Sequence, residues 1–372
     1  INSSQTELIT SKSANLNINN SQTELITIPN KSVDNNFGRI SISQNRKSFY
    51  ISPSANATNP TVKNVDQIGN LKLIKINEST QTIKSITDCE FNKLFLHKNN
   101  DSIQEINKVN YNSNTLANDL GSKNLTGKIQ SVYDSLNNNL FVMNSGSSTN
   151  NIQKFNVESK LYKQSNFSSP VSSNSFDAKN DNFESVYDYD NKKIYVALET
   201  TNAPAKDIIG YDLTLSSSTS EYQTNISFKP YRIRYGNNKL YVFWKNKTVA
   251  NNNLEIKRFD VDGSGFVPSG LSDNFTLTFS NGEGDPGFDV NYATDYIIYS
   301  RNNDNQKLHL VPDPQNNPLN EVTKDLSSAA LGTIKDIKYN SENDNWLVTL
   351  DDGYILFELN EGNDSINIIK QY

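Results

Sequence analysis

The stretch that decides the fold is IQSVYDSLNNNLFV, residues 129–142. Its first half alternates apolar and polar side chains, as a strand with one buried face does. An Asn-rich stretch follows, and Asn favours turns because it tolerates left-handed backbone conformations and bonds its own backbone. The triplet LFV then begins a second strand. The stretch therefore predicts a β-hairpin.

Similar hairpins recur along the chain, and seven copies begin about 45 to 56 residues apart. A fixed period of this length is typical of repeat architectures in which each unit is one supersecondary element. The other six copies are GRISISQNRKSFYI from Gly38, IKSITDCEFNKLFL from Ile83, FESVYDYDNKKIYV from Phe183, YRIRYGNNKLYV from Tyr231, GFDVNYATDYIIY from Gly287 and IKDIKYNSENDNWLV from Ile334.

A third strand is predicted after each hairpin from apolar residues spaced three and then two positions apart. The clearest cases are Ile152/Phe155/Val157, Ile208/Tyr211/Leu213, Ile256/Phe259/Val261 and Tyr354/Phe357/Leu359. A weaker fourth strand follows, for example at 160–166 or 365–372. Four strands in each of seven units predict an all-β, seven-bladed β-propeller over residues 37–372. The rival architecture, a pair of β-sandwiches, would not produce a constant period.

The return strand NKLYV, and the triplets FNV, YDL and FDV that follow the hairpins, resemble the YVTN/NHL-type propeller repeats of bacterial and archaeal surface proteins. The resemblance covers about residues 37–372 and implies the propeller fold. It implies little about activity, because such propellers serve as lactonases, lyases, scaffolds and adhesion modules alike.

Composition restricts the classes of function. The net charge is −6 and the pI about 5.2, so the chain lacks the basic surface that a nucleic-acid partner requires. No run of 18 apolar residues could span a membrane. The 18 Tyr and 17 Phe exceed what a disordered chain contains. Because the first residue is Ile1, we expect either that an export signal has been removed or that a longer chain has been trimmed.

The segment before the first hairpin, residues 1–36, contains the heptad SQTELIT twice, at 4–10 and at 21–27. Alternating side chains predict that this N-terminal extension contains short strands. The alternating residues are Thr6, Leu8, Thr10, Thr23, Leu25 and Thr27. Because the last blade already has four predicted strands, the extension is surplus to the ring.

Three interpretations of the duplicated heptad remain open. One copy, preferably residues 23–28, packs on the propeller edge while the other serves as a linker. Alternatively, a copy adds as a strand to the sheet of a neighbouring subunit and links propellers in a chain or array. In the third interpretation the duplication has no structural meaning.

Two arginines are candidate binding residues of the central channel. Arg232 and Arg234 are two positions apart in the first strand of the fifth unit, so they share a face. A guanidinium there can hold a carboxylate bidentately. The alternative for both is a salt bridge to an acid of a neighbouring blade. Trp244, which follows LYVF, is a candidate for an exposed face where its ring would stack on a sugar.

The sequence DVDGSG, residues 260–265, is the candidate metal site. Asp260, Asp262 and Ser264 match the first, third and fifth positions of a calcium loop. Position twelve is Leu271 instead of the closing acid, so an ordinary glycine turn is the alternative. No other cofactor is predicted.

Other candidates for chemistry are few. The two histidines, His97 and His309, stand in different units at points that read as equivalent. We predict that they are surface or strand-edge residues. Two histidines disfavour a His-rich metal site and a Ser-His-Asp triad. Cys89 stands between Asp88 and Glu90, which oppose formation of a thiolate, so it is not a candidate nucleophile.

Together these observations predict a non-enzymatic, exported cell-surface or extracellular propeller. Its role would be assembly or adhesion, with itself in filaments, with other surface proteins or with glycans. Candidate glycosylation sequons occur at Asn56, Asn124, Asn225, Asn246 and Asn274. The alternative is a propeller enzyme of the lyase or lactonase type, or a glycan-binding lectin, that uses the channel face.

Overall fold

The computed structural model of the chain describes residues 37–43, 46–53, 61–75, 83–89, 93–98, 103–107, 113–116, 129–145, 150–158, 170–176, 182–199, 205–224, 228–246, 254–262, 265–266, 276–279, 287–301, 304–312, 321–362 and 364–372. The predicted N-terminal extension, with both SQTELIT heptads, lies outside the described residues, and its boundary stays a prediction.

The described residues form seven antiparallel sheets, each from one contiguous part of the chain. The first three consist of β1 (Ile40–Ile42), β2 (Ser48–Ile51), β3 (Thr61–Asp66) and β4 (Leu71–Lys75); β5 (Ile83–Cys89), β6 (Lys93–Lys98), β7 (Ile103–Asn107) and β8 (Ser113–Leu116); and β9 (Ile129–Asp134), β10 (Asn139–Ser145), β11 (Asn150–Asn156) and β12 (Ser172–Phe176).

The fourth and fifth sheets consist of β13 (Phe183–Asp188), β14 (Lys193–Leu198), β15 (Ala205–Asp212) and β16 (Ser218–Thr224); and β17 (Phe228–Gly236), β18 (Lys239–Asn246), β19 (Leu254–Asp262), β20 (Gly265–Phe266) and β21 (Thr276–Phe279). The last two consist of β22 (Phe288–Asn291), β23 (Tyr296–Arg301), β24 (Asp304–Val311) and β25 (Val322–Asp325); and β26 (Ile334–Asn340), β27 (Asn345–Leu350), β28 (Gly353–Asn360) and β29 (Ser365–Gln371). A short 3₁₀ helix, Ser327–Ala329, precedes β26.

The first strands of the seven sheets form a closed ring. Each first strand contacts that of the next sheet, and β26 of the last sheet contacts β1 of the first. Strand order within each sheet then runs outward from this inner strand. This is the arrangement of a β-propeller, and the predicted all-β fold is confirmed.

The core consists of apolar layers between neighbouring sheets. The third-strand residues Ile152, Phe155, Ile256, Phe259 and Phe357 are all buried, as the spacing predicted. One layer joins the fourth and fifth sheets, and another joins the sixth and seventh. Because each sheet is apolar on both faces only near its middle strands, the chain needs few hydrophobic residues for its length.

The outer strand of the third sheet is β12, Ser172–Phe176, which pairs with β11. Residues 160–166, where the sequence predicted a fourth strand, lie outside the described residues. The connection before β12 is longer than the repeat pattern suggested. The outer strand of the last sheet, β29, lies where it was predicted.

Five of the turns between the first and second strands have a left-handed residue just before the second strand. Asn or Asp occupies most of these positions because both tolerate positive φ. The residues, with φ between 51° and 62°, are Asn138, Lys192, Asn238, Asp295 and Asp344.

A tyrosine near the end of the first strand stabilises three of these turns through a hydrogen bond. Its hydroxyl donates to the side chain of the left-handed residue: Tyr133 to Asn138 at 3.0 Å, Tyr235 to Asn238 at 3.1 Å and Tyr339 to Asp344 at 2.9 Å. Burial and the bond to Asp344 raise the pKa of Tyr339, so this hydroxyl remains a donor at neutral pH.

Within the described residues, the last and first sheets meet without sharing a strand. Asn340 Nδ2 donates to the carbonyl oxygen of Arg46 at 2.6 Å, and Tyr354 Oη donates to that of Gly69 at 2.8 Å. Beneath these bonds an apolar layer joins the two sheets, and it includes Phe49 and Leu356. Side chains alone therefore seal this interface.

We predict that Gly353→Ala destabilises the seventh sheet, in which Gly353 begins β28. A Cβ at Gly353 would collide with the carbonyl oxygen of Tyr372 and approach Leu331 Cδ2, and overpacking of this kind costs about 1–3 kcal/mol. Denaturant unfolding should show the loss. The control is Gly362→Ala, where the nearest atom is the side-chain oxygen of Asn360 at 3.3 Å and the change should stay within about 0.5 kcal/mol. Equal effects of the two substitutions would contradict the prediction.

Candidate functional site

Polar side chains of the first strands meet in the centre of the ring. On β17, Ile233 and Tyr235 pack in the layer between sheets. Arg232 and Arg234, which alternate with them, reach acids on other first strands. The two arginines share a face, as predicted. Arg234 forms an ion pair with the neighbouring sixth sheet, which the sequence offered as its alternative role, whereas the acid that Arg232 contacts lies on the seventh sheet.

Asp289 of β22 joins three sheets. Its Oδ1 accepts a hydrogen bond from Arg234 Nε at 3.1 Å, and its Oδ2 lies 3.4 Å from Lys338 Nζ on β26. The same Oδ2 accepts the backbone N–H of Tyr339 at 2.9 Å. A carboxylate in this position is compensated by two cations and a backbone donor, as a buried charge requires.

Asp336 of β26 occupies a similar position on the closing side of the ring. Its Oδ2 accepts the backbone N–H of Ile40 on β1 at 2.9 Å. Its Oδ1 lies 3.5 Å from Nε of Arg232, which is almost fully buried. Arg232 Nη1 also donates to the carbonyl oxygen of Tyr231 at 2.7 Å. The position of Arg232 is thus structural.

Glu184 of β13 forms the third acidic centre. Arg39, next to β1, places Nη1 3.4 Å from Glu184 Oε1, and so it reaches from the first sheet to the fourth. Gln130 Nε2 of β9 donates to Oε2 at 2.7 Å. The Oε1 of Gln130 in turn accepts the backbone N–H of Ser185 at 2.9 Å.

The exposed part of this network is cationic. The acids lie underneath, while the side chains of Arg39, Lys338 and Arg234 are partly exposed. Burial alone would lower the pKa of Arg234, but the carboxylates of Asp289 and Asp336 outweigh it and raise that pKa. The guanidinium therefore keeps its charge.

His97 is not a surface residue. It lies fully buried on β6, where Nε2 is 2.6 Å from Ser131 Oγ, and Ser131 Oγ also contacts Thr87 Oγ1. Burial lowers the pKa of His97 to about 3. The imidazole is therefore neutral at pH 7, and so weak a base does not activate a serine.

His309 is also buried, which contradicts the predicted surface position. It lies on β24, the third strand of its sheet, whereas His97 lies on a second strand, so the two are not equivalent. His309 Nδ1 is 2.8 Å from Glu321 Oε1, and its ring stacks on Tyr299. Burial would raise the pKa of Glu321, yet hydrogen bonds from His309 and Tyr299 outweigh it and lower that pKa to about 2.

Trp244 does not reach an exposed face. Its side chain is 1% exposed and packs in the layer between the fourth and fifth sheets, stacked on Tyr222. The proposed stacking on a sugar is wrong, because position 244 lies on the face of β18 that meets the fourth sheet.

The predicted calcium loop is only partly described. Asp260 and Asp262 lie on β19, opposite Lys239 and Gly265 respectively, and Ser264 lies outside the described residues. Within the described ranges no group of three or more acidic, His or Cys side chains is arranged to hold a metal ion. Calcium binding stays a prediction.

The remaining predicted residues are untested. Asn246 ends β18, opposite Phe228, and the sequons at Asn56, Asn124, Asn225 and Asn274 lie outside the described residues. Cys89 ends β5. In the described part of the chain, no helix is long and apolar enough to cross a bilayer.

Sequence reasoning missed most of the channel network. Asp289, Asp336, Glu184, Lys338 and Arg39 all lie in or beside first strands, and none was singled out. The available signal was a charged residue in or beside most first strands, at a position that alternates with core residues. That signal becomes specific only when the ring places the strands around one axis.

The structure is similar to solved propellers. These are a streptogramin B lyase (TM-score 0.52, 11% identity, 90% of this chain and 94% of that chain), Hsv2 from Kluyveromyces marxianus (0.56, 9%, 91% and 98%) and the β-propeller domain of Cps50 (Swd1) from Myceliophteria thermophila (0.53, 9%, 84% and 92%). No protein family matches the sequence, and no curated protein matches it. At such identities the likeness shows the β-propeller fold alone.

We predict that Asp289→Ala lowers the free energy of unfolding by roughly 3–5 kcal/mol, because it removes the buried carboxylate that Arg234 and Lys338 both contact. The control is Lys335→Ala on the same strand as Lys338. Lys335 pairs with Asp351 at the surface, so its loss should cost less than about 1 kcal/mol. Urea unfolding of both variants measures the difference, and a small effect of Asp289→Ala would contradict a structural role.

The low pKa of the buried His97 predicts that the free energy of unfolding depends on pH. Its pKa is about 3 in the fold and near 6.5 in the unfolded chain, so between these values the unfolded state binds one proton more. Stability should therefore fall as the pH drops from about 6.5 towards 3. His97→Gln removes this contribution, so the two proteins should differ in pH slope over that window. Equal pH slopes of the free energy of unfolding in the two proteins would contradict this prediction.

Proposed function

We propose that the chain is a non-enzymatic β-propeller that assembles with other copies of itself, with the SQTELIT heptads adding as strands to a neighbouring subunit. The observation that carries the proposal is the completeness of the sheets. All seven, including the closing one, are built from residues 40–371. Residues 1–36 are therefore not required to complete any of them.

The outer strands supply edges on which a strand can add. Among the described residues, β29 pairs with β28 on one side only. It has seven residues, the length of the heptad, and Ile368 on it is half exposed. β29 carries Lys370 and no acid, whereas each heptad carries one Glu and no base. Length and charge both support a heptad as a partner of such an edge.

The channel chemistry supports a non-enzymatic role. Glu184, Asp289 and Asp336 are buried and bound to cations or backbone N–H groups. Carboxylates held in this way link sheets, and their oxygens are already occupied by structural partners, whereas a general acid or base must be free to contact a substrate.

The proposal includes an extracellular or cell-surface location, and only the sequence supports this part of it. It rests on the Asn-, Ser- and Thr-rich composition and on the resemblance to YVTN/NHL-type repeats. Glycans and other surface proteins are further partners under the same proposal, and an adhesive role follows from it.

The test is replacement of both heptads by Gly/Ser segments of equal length. The expected result is a folded monomer with unchanged circular dichroism and loss of the multimers or filaments that the full chain forms in negative-stain images. Replacement of one heptad alone tells whether a single copy suffices. A full chain that stays monomeric at high concentration, or unchanged assembly after both replacements, would overturn the proposal.

A further inference from the structure

We propose that the central channel contains a binding site for a small anion with a carboxylate or phosphate group, formed by Arg39, Arg234 and Lys338. These side chains come from the first, fifth and seventh sheets. The site does not involve residues 1–36 and is independent of the proposed assembly.

Two of the three cations share an acid, and contacts of the first sheet place the third cation near them. Arg234 Nε and Lys338 Nζ contact the two oxygens of Asp289, at 3.1 and 3.4 Å. Arg39 Nη1 lies 3.4 Å from Glu184 Oε1. Arg39 precedes Ile40, whose backbone N–H donates to Asp336 Oδ2 at 2.9 Å, and Asp336 is two positions from Lys338 on β26. All five side chains therefore occupy one neighbourhood of the channel.

The cationic side chains of the site are more exposed than the acidic ones. The side chains of Arg39, Lys338 and Arg234 are 30%, 18% and 12% exposed, whereas those of Glu184 and Asp289 are 5% and 1% exposed. A ligand that enters the channel thus meets cations with their acids behind them. With Arg232 and Asp336 included, four cations face three acids, a net charge of +1 in a chain of net charge −6.

Donors remain for a ligand. Arg234 uses three of its five N–H groups, on Asp289 Oδ1 and on the carbonyl oxygens of Ile233 and Phe288. Lys338 contacts one acceptor, Asp289 Oδ2, and an ammonium has three N–H groups. Oxygens of a carboxylate or phosphate are the acceptors that such groups bind most strongly.

The electrostatics of Lys338 agree with this geometry. Burial lowers the pKa of Lys338, and the next largest cause is repulsion from Arg234, ahead of the attraction of Asp289 and Asp336. A bound anion would relieve this repulsion. The ligand is small, because Arg39 extends across the ring to Glu184 and narrows the channel at this level.

The experiment is calorimetric titration of the full chain at pH 7 and low ionic strength with inorganic phosphate and, separately, with succinate. Chloride at equal ionic strength is the reference. We expect saturable binding of at least one anion, and the stronger of the two identifies the preferred group. Lys338→Met and Arg39→Gln should each weaken it at least tenfold.

The matched control is Lys335→Met, which removes a lysine from the same strand. Lys335 pairs with Asp351 at 2.5 Å and is 37% exposed, so its loss should leave the affinity unchanged. Binding no tighter than that of chloride, or equal losses in Lys335→Met and Lys338→Met, would overturn the site. The chain with both heptads replaced should bind as the full chain does, which separates this result from the assembly test. If Lys338→Met unfolds, Arg39→Gln decides.

Discussion

The interface between the last and first sheets is the constraint on which the architecture depends. Each sheet is a local product of contiguous sequence, but a ring exists only if the seventh sheet meets the first. Here side chains make that contact. The side-chain amide of Asn340 and the hydroxyl of Tyr354 donate to carbonyl oxygens of the first-sheet region, and an apolar layer packs between the two sheets. Among the described residues no strand is shared across this interface, so the side-chain contacts carry it.

The buried acids of the channel connect the fold to its proposed chemistry. Asp289, Asp336 and Glu184 each tie together first strands that are distant in sequence. A buried carboxylate must be compensated, and the compensating cations extend further into the channel than the acids do. The same network that holds the ring together therefore gives its interior a positive surface.

The fold was predictable because its signals are local. The repeated hairpin pattern, the left-handed Asn or Asp before several second strands and the spacing of third-strand residues such as Phe155 and Phe259 can all be read directly from the chain. The errors have a common cause. His97, His309 and Trp244 look like surface residues by type and spacing, and the neighbouring sheet buries them. The start of β12 at Ser172 could not be predicted from the repeat either, because the length of the connection between the third and fourth strands varies from sheet to sheet.

The period, the strands and the turns follow from the chain alone, because they depend on side-chain alternation and backbone preference within some fifteen residues. Arg232 and Arg234 could be placed on one face of a strand for the same reason. Only the tertiary structure decided what that face meets. The partners of the arginines, Asp336 and Asp289, lie more than fifty residues away, and only closure of the ring brings them within contact distance.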